Sequence, residues 1–499
     1  MHRAPMCSLA FSGGSAFLTG DGCGDCDLSG IFTDRNTRRR KRHSSVGTRK
    51  GKILDDSKGK GPANRKTTPR RAGKAASPTV GPSKPRLLRF FGPGLITGAS
   101  DDDPSGIATY SQAGAQFGFA ITWTLLFTYP LMAVIQEISG RIGRTTGKGI
   151  AANIRQHYPN WILQSIVGLL LIANTINIGA DLGAMGDAVD LLIGGPKVLY
   201  VILFGVLCAV LQVVMQYSRY VSVLKWLTLA LFAYFGTVLV VKVPWGEAAR
   251  GFFIPTFSAD VAFWTTVVAI FGTTISPYLF FWQASQEVED IDEVPERRPL
   301  VEAPKQGPGA NERIGIDTYV GMAFSNLVAL AIMVTTAATL HVNGRTDIQT
   351  SSQAAEALKP VAGEFAFAVF TLGIVGTGLL AVPVLAGSAA YALSEARKWR
   401  IGLARQPSEA KAFYATIVVA TLTGVVIGFS PIDPIKALFW SAVINGVVAV
   451  PVMAMMMLIT SNRKIMGKFT VTGVRRIVGW LATAIMAAAA VGMGVTAIL

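Results

Sequence analysis

Asp101-Asp102-Asp103-Pro104-Ser105-Gly106 sits between two apolar runs, 90–99 and 107–117. Joined, those runs are long enough to cross a bilayer, which takes about 20 apolar residues. Carboxylates inside such a run are expensive to bury and mark function. Pro104 withdraws a backbone donor and disfavours helix at Asp103, while Gly106 turns at little cost, so the span is predicted to unwind into two half-helices. Unwound backbone at membrane depth is tolerated around a polar cavity. The stretch therefore reads as a cation site, with carboxylates and freed carbonyls directed at one spot. The competing reading, a loop with its acids in water, needs flanks that are each too short to span alone.

Composition agrees with a membrane protein. Of 499 residues, 51% are hydrophobic and only 15% charged, which places the chain among polytopic membrane proteins. The formal net charge of +16 is concentrated in a tail, residues 1–86, rich in Gly, Ser, Pro, Lys and Arg, with runs such as Arg38-Arg39-Arg40-Lys41-Arg42. That composition predicts disorder, and the apolar pieces near Leu9 to Leu18 are too broken to form a cleaved signal peptide. Beside a membrane domain, a basic tail serves as a cytoplasmic topology anchor with possible contact to anionic lipid; no nucleic acid partner is expected. The cysteines, Cys7, Cys23, Cys26 and Cys208, form no disulfide framework, and Cys23-Gly24-Asp25-Cys26 lacks the second ligand pair of a zinc site.

The transporter domain, 87–499, divides into apolar spans near 90–117, 119–140, 161–192, 197–215, 219–241, 261–288, 314–340, 362–393, 412–429, 434–459 and 475–498, about eleven in all. Basic residues crowd alternate loops: Arg141, Arg144, Lys148 and Arg155; Arg397, Lys398, Arg400 and Arg405; Arg463, Lys464, Lys468, Arg475 and Arg476. With the tail inside, every rich loop is cytoplasmic and Leu499 is extracytoplasmic, which describes a multi-pass protein of the cell membrane.

A second break, Gly272-Thr273-Thr274-Ile275-Ser276-Pro277-Tyr278, interrupts the sixth span. Five spans separate it from the first break, and an odd number turns the second unit upside down. This predicts an all-α, 5+5 inverted repeat: repeat one over 88–242, repeat two over 260–460, an extra helix over 475–498, and substrate between the breaks. Pro277 alone would pass for an ordinary kink. Asn174, Asn177 and Asp181 share a face of the third span and read either as a polar pathway or as interhelical hydrogen bonds. Glu137, Gln283 and Asn445 face the same choice, while Asp187 and Asp190 read as solvated. The segment 287–313 reads as a cytoplasmic loop.

From Phe91 onward the chain resembles the natural resistance-associated macrophage protein (NRAMP) family of divalent metal transporters, which has the leucine-transporter-type fold. Gly92-Pro93-Gly94, Asp103-Pro104-Ser105-Gly106, Gln112-Ala113-Gly114-Ala115-Gln116-Phe117-Gly118 and Thr146-Gly147-Lys148 carry the resemblance. The family's Asp-Pro-Gly-Asn motif places its aspartate on Asp103 and its asparagine on Gly106; its Met-Pro-His motif falls on Ser276, Pro277 and Tyr278. The departures matter. Without the thioether the site keeps only oxygen ligands, which favours hard cations, and the small Gly106 and Ser276 widen it for hydrated Mg²⁺. Tyr278 replaces the histidine, and Ala184 replaces an acid one turn beyond Asp181, which removes proton-relay groups. The pattern is similar to the NRAMP-related magnesium branch.

The expected metal ligands are accordingly Asp103 at the centre, Asp102 directly or through water, Gly106, Ser276, and carbonyls near Thr273 and Thr274. Asp101 is expected to guard the entrance, with Tyr278, Asp181, Glu137, Gln283 and Asn445 along the pathway. The substrate is then a divalent ion, Mg²⁺ favoured with Mn²⁺ also carried, moved without proton coupling. The alternatives are a proton-coupled Mn²⁺/Fe²⁺ importer and a sodium-coupled organic-solute carrier of the same fold. The latter would offer a free half-helix start to a substrate carboxylate, which three clustered acids would repel. An enzyme, in the form of an intramembrane aspartyl protease, is set aside: the only Gly-x-Gly-Asp string, Gly22-Cys23-Gly24-Asp25, lies in the tail.

Overall fold

A computed structural model describes residues 101–214 and 227–498. The expected tail, the Gly92-Pro93-Gly94 motif and the first half of the first span lie outside those residues. Helices follow one another without strands among the described residues: α1 (Pro104–Phe117), α2 (Trp123–Thr146), α3 (Ile150–His157), α4 (Asn160–Ile193), α5 (Lys197–Val214), α6 (Phe232–Val240) and α7 (Trp245–Phe253). Then come α8 (Val261–Thr274), α9 (Pro277–Glu293), α10 (Gly307–Thr339), α11 (Ala366–Arg397), α12 (Lys411–Gly428), α13 (Pro434–Ser461) and α14 (Val474–Thr496). Short helical turns fill several of the links.

Among the described residues, eight helices are long and apolar enough to cross a membrane. A ninth span is added when Pro104–Ile121 and Trp123–Thr146, bent by 110° at their joint, are taken as a pair. The expected first and second spans meet in that pair. The expected fifth is represented by the shorter apolar helix Leu229–Val240.

The local sequence explains both breaks. At the first, Asp103 is extended and its Oδ1 accepts from Gly106 N at 2.8 Å, with Pro104 opening α1, where its missing donor would have had no partner in any case. At the second, Ile275 and Ser276 leave the helix, and Pro277 starts α9 in the same way. The sixth span is the most enclosed, with 94% of its apolar window buried, against 33% for α5 and 28% for α14. The broken sixth span thus lies toward the centre, and α5 and α14 face outward.

Close packing at the second break depends on glycine. A Cβ on Gly272 would lie 2.0 Å from Ala442 O, and one on Gly446 would lie 2.6 Å from Val268 O. The backbones of α8 and α13 touch there, as small residues permit between helices in membranes. A side chain on either residue would push the two helices apart beside Thr273.

Candidate functional site

Asp101, Asp102 and Asp103 are all buried, with at most 1% of each exposed. Asp103 is held from four directions. Its Oδ1 accepts from Ser105 Oγ at 2.5 Å and Gly106 N at 2.8 Å; its Oδ2 lies 3.2 Å from Asn177 Nδ2 and 3.4 Å from Tyr278 Oη. Asn177 is itself fixed by Ser441 Oγ, which donates to its Oδ1 at 2.7 Å. Residues of α1, α4, α9 and α13 therefore converge on one carboxylate.

Asp101 and Asp102 face a different helix. Ser325 of α10 places its Oγ 2.6 Å from Asp101 Oδ2 and 3.1 Å from Asp102 Oδ1. Asp101, expected at the entrance, is still helical, lies immediately before the break, and is fully buried against the seventh span. Among the described residues, Asp101 Oδ1 and Asp102 Oδ2 have no hydrogen-bond partner. Buried carboxylate oxygens in that state call for a cation, a proton or water.

The remaining expected ligands sit at the second break. A Cβ on Gly106 would lie 3.2 Å from Thr273 Oγ1 and 3.5 Å from Asp101 O, so the absence of a side chain there brings the two breaks together. Ser276 Oγ lies 2.7 Å from Thr273 O and 3.1 Å from Gly272 O. Its proton is thus occupied by the backbone, leaving lone pairs. Thr274 Oγ1 turns back into its own helix, 2.8 Å from Ile270 O. Among the described residues, no group of three or more His, Cys, Asp or Glu is arranged to hold a metal ion. An ion beside Asp103 would have to complete its shell with carbonyl, hydroxyl or water oxygens.

The expected pathway residues part company. Tyr278 is at Asp103. Asp181, one turn from Asn177 on α4, is buried, and among the described residues neither of its carboxylate oxygens is hydrogen-bonded; Asn445, next to Gly446, is buried with both side-chain polar atoms likewise unpartnered there. Glu137 and Gln283 do not join them. Glu137 is buried in ion pairs with Arg141 at 2.6 Å and Arg475 at 2.9 Å, and Tyr319 Oη lies 3.3 Å from it. Gln283 donates to Thr318 Oγ1 at 3.0 Å and accepts from Gln136 Nε2 at 2.5 Å. Both tie helices together. Asn174 does likewise, reaching Leu385 O at 2.9 Å and Ser388 Oγ at 2.8 Å.

Sequence reasoning missed Ser325 and Ser441, small hydroxyl residues that no motif or periodic signal set apart from the other polar residues of their helices. Asn177 stood out as one of a polar stripe, but nothing in the sequence paired it with Asp103.

Two interrupted helices meeting at buried carboxylates inside an all-helical membrane bundle define the class: a leucine-transporter-type secondary transporter fold. Residues 94–496 match the family described as natural resistance-associated macrophage protein-like, and the chain belongs to that family, Nramp. The divalent metal cation transporter MntH of Klebsiella pneumoniae (strain 342) is 25% identical over 413 residues, covering 80% of this chain and 92% of the relative. A manganese transporter of Eremococcus coleocola, solved with an aromatic bis-isothiourea compound, matches with a TM-score of 0.64 at 16% identity over 81% of this chain and 85% of that one. MhsT in complex with L-phenylalanine matches at 0.55 and 11% identity over 83% and 98%. At these identities, the structural likeness speaks to the fold alone.

Proposed function

We propose that the chain carries divalent metal cations across the membrane by alternating access, with Asp103 as the central ligand. In this reading Asp102, Ser276, Gly106 and the carbonyls near Thr273 and Thr274 surround the ion, directly or through water. The observation that carries the reading is the state of the acids: Asp103 is fixed by four neighbours, while buried oxygens of Asp101 and Asp102 have no hydrogen-bond partner among the described residues. A divalent ion answers that arrangement. The relatives' names, a divalent metal cation transporter and a manganese transporter, support the substrate class.

Within that class we infer Mg²⁺ as favoured, with Mn²⁺ also carried. Every candidate donor is an oxygen, the set that suits hard cations, and Mg²⁺ sheds its waters reluctantly and is bound through few carboxylates. Unpartnered oxygens around small residues suit an ion that keeps part of its hydration. Transport without proton coupling fits Tyr278 and Ala184 at the two relay positions.

A second reading, a proton-coupled Mn²⁺ or Fe²⁺ importer, is favoured by one observation: Asp181 is buried with both oxygens free of hydrogen bonds, as a proton carrier would be. Uptake into proteoliposomes separates the readings. Mg²⁺ in excess should compete with Mn²⁺ in the wild type, and Asp103→Asn should abolish uptake of both while the protein still inserts. Wild-type uptake by Asp103→Asn at equal membrane abundance would remove the assigned ligand. Mn²⁺ uptake indifferent to a large excess of Mg²⁺ would favour the second reading.

A further inference from the structure

The link between the fifth and sixth spans, 241–260, is not a plain loop. It contains α7, whose nine residues present three distinct faces. Ala248 and Gly251 are buried against the turn that joins α1 to α2, so closely that a Cβ on Gly251 would lie 2.1 Å from Phe119 O. Glu247 and Arg250 are exposed and neither has an ion-pair partner within the described residues. Trp245, Ala249 and Phe253, four residues apart, form an exposed apolar stripe separate from both, with Trp245 62% and Phe253 65% exposed.

That stripe continues in both directions. Leu239 and Val240, at the end of the preceding span, are exposed, as are Ile254, Phe257 and Val261 leading into the next one. Exposed apolar side chains on spanning helices face acyl chains, so the surface of α7 runs on from the lipid-facing surface of its neighbours. A short helix with one apolar stripe rich in Trp and Phe and one charged face is built to lie in the membrane–water boundary.

We propose that Trp245–Phe257 is a lipid-binding segment lying flat in the membrane interface at the end of the first span. Trp245, Ala249, Phe253 and Phe257 enter the boundary between headgroups and acyl chains, and Glu247 and Arg250 stay in water. The third face holds the first span's end. Besides the Gly251 contact, Thr256 Oγ1 donates to Ala120 O at 2.7 Å, and the Phe257 and Trp123 rings stand 5.2 Å apart. The bilayer therefore sets the depth of the 118–121 turn through this segment.

The test is a depth measurement on the full chain in lipid nanodiscs. Cys7, Cys23 and Cys26 are replaced by serine, and Cys208, which is fully buried, stays. Spin labels are attached at Ala249→Cys, Phe253→Cys, Glu247→Cys and Arg250→Cys, one at a time. Labels at 249 and 253 should collide with dissolved oxygen and escape a water-soluble nickel complex; labels at 247 and 250 should show the reverse. Equal access of nickel to all four would place the segment in water and overturn the proposal. Exclusion of both probes from 249 and 253 would mean that a protein surface covers the stripe, and would overturn it equally. This outcome does not depend on the ion carried.

Discussion

Asn177 Nδ2 lies 3.2 Å from Asp103 Oδ2, and Ser441 holds the far end of the same amide at 2.7 Å. The third and tenth spans thereby fix the direction in which the first span's carboxylate points. A buried hydrogen bond to a charged group is worth about 1.5–3 kcal/mol, or roughly tenfold to a hundredfold in affinity. Asn177→Ala should raise the apparent KM for the divalent ion by that factor with kcat little changed. Ser441→Ala should give a smaller shift in the same direction. Initial-rate uptake at equal protein abundance measures both, and an unchanged KM in Asn177→Ala would show that Asp103 needs no such support.

Ser276→Met should alter selectivity. The substitution adds a soft, bulky thioether where a hydroxyl now sits against Thr273 O. Cd²⁺ and Mn²⁺ should compete better than in the wild type, and Mg²⁺ worse, since a hydrated ion loses room. Competition uptake with the three ions in both proteins gives the answer; an unchanged order of preference would place the ion away from Ser276.

Transport should proceed without proton movement. The membrane potential supplies about 2.3 kcal/mol per elementary charge per 100 mV, hence about 4.6 kcal/mol for a divalent ion. Metal influx into vesicles carrying an internal pH dye should leave the dye unchanged while responding to an imposed potential. Acidification that follows metal influx and is lost in Asp181→Asn would instead make Asp181 a proton carrier.

Gly272→Val should damage the protein more than its single position suggests. With Ala442 O standing 2.0 Å from the added Cβ, α8 and α13 must separate, and forced overpacking costs about 1–3 kcal/mol or more. A lower Tm in detergent together with lost uptake is expected. Gly168→Val, at a glycine with open space around its Cβ, serves as the control and should retain both.

Much of this architecture is written in simple chemistry. Pro104 and Pro277 announce both breaks through the polar residues beside them, since Pro130, Pro383 and Pro451 lie inside unbroken helices, and the third span, expected over 161–192, forms as Asn160–Ile193 because apolar length alone decides it. What sequence could not give was partnership. Glu137 and Asp181 look alike as acids in apolar helices, yet one is closed by two arginines and the other stands without a hydrogen bond. Only three-dimensional proximity separates glue from site. The contact of Asp101 with Ser325 was hidden for the same reason, since the two lie 224 residues apart. The helix α7 escaped notice because nine residues are too few to register as a span.

The pairing of Glu137 with Arg475 has a consequence in time as well as space. Arg475 belongs to α14, which is made long after α2, the helix that carries Glu137. Until α14 is made, Arg141 is the one of the two arginine partners that Glu137 can have. The pair can therefore close only once α14 exists: a later helix fastens a charge laid down much earlier, and synthesis that stops before α14 leaves that fastening undone.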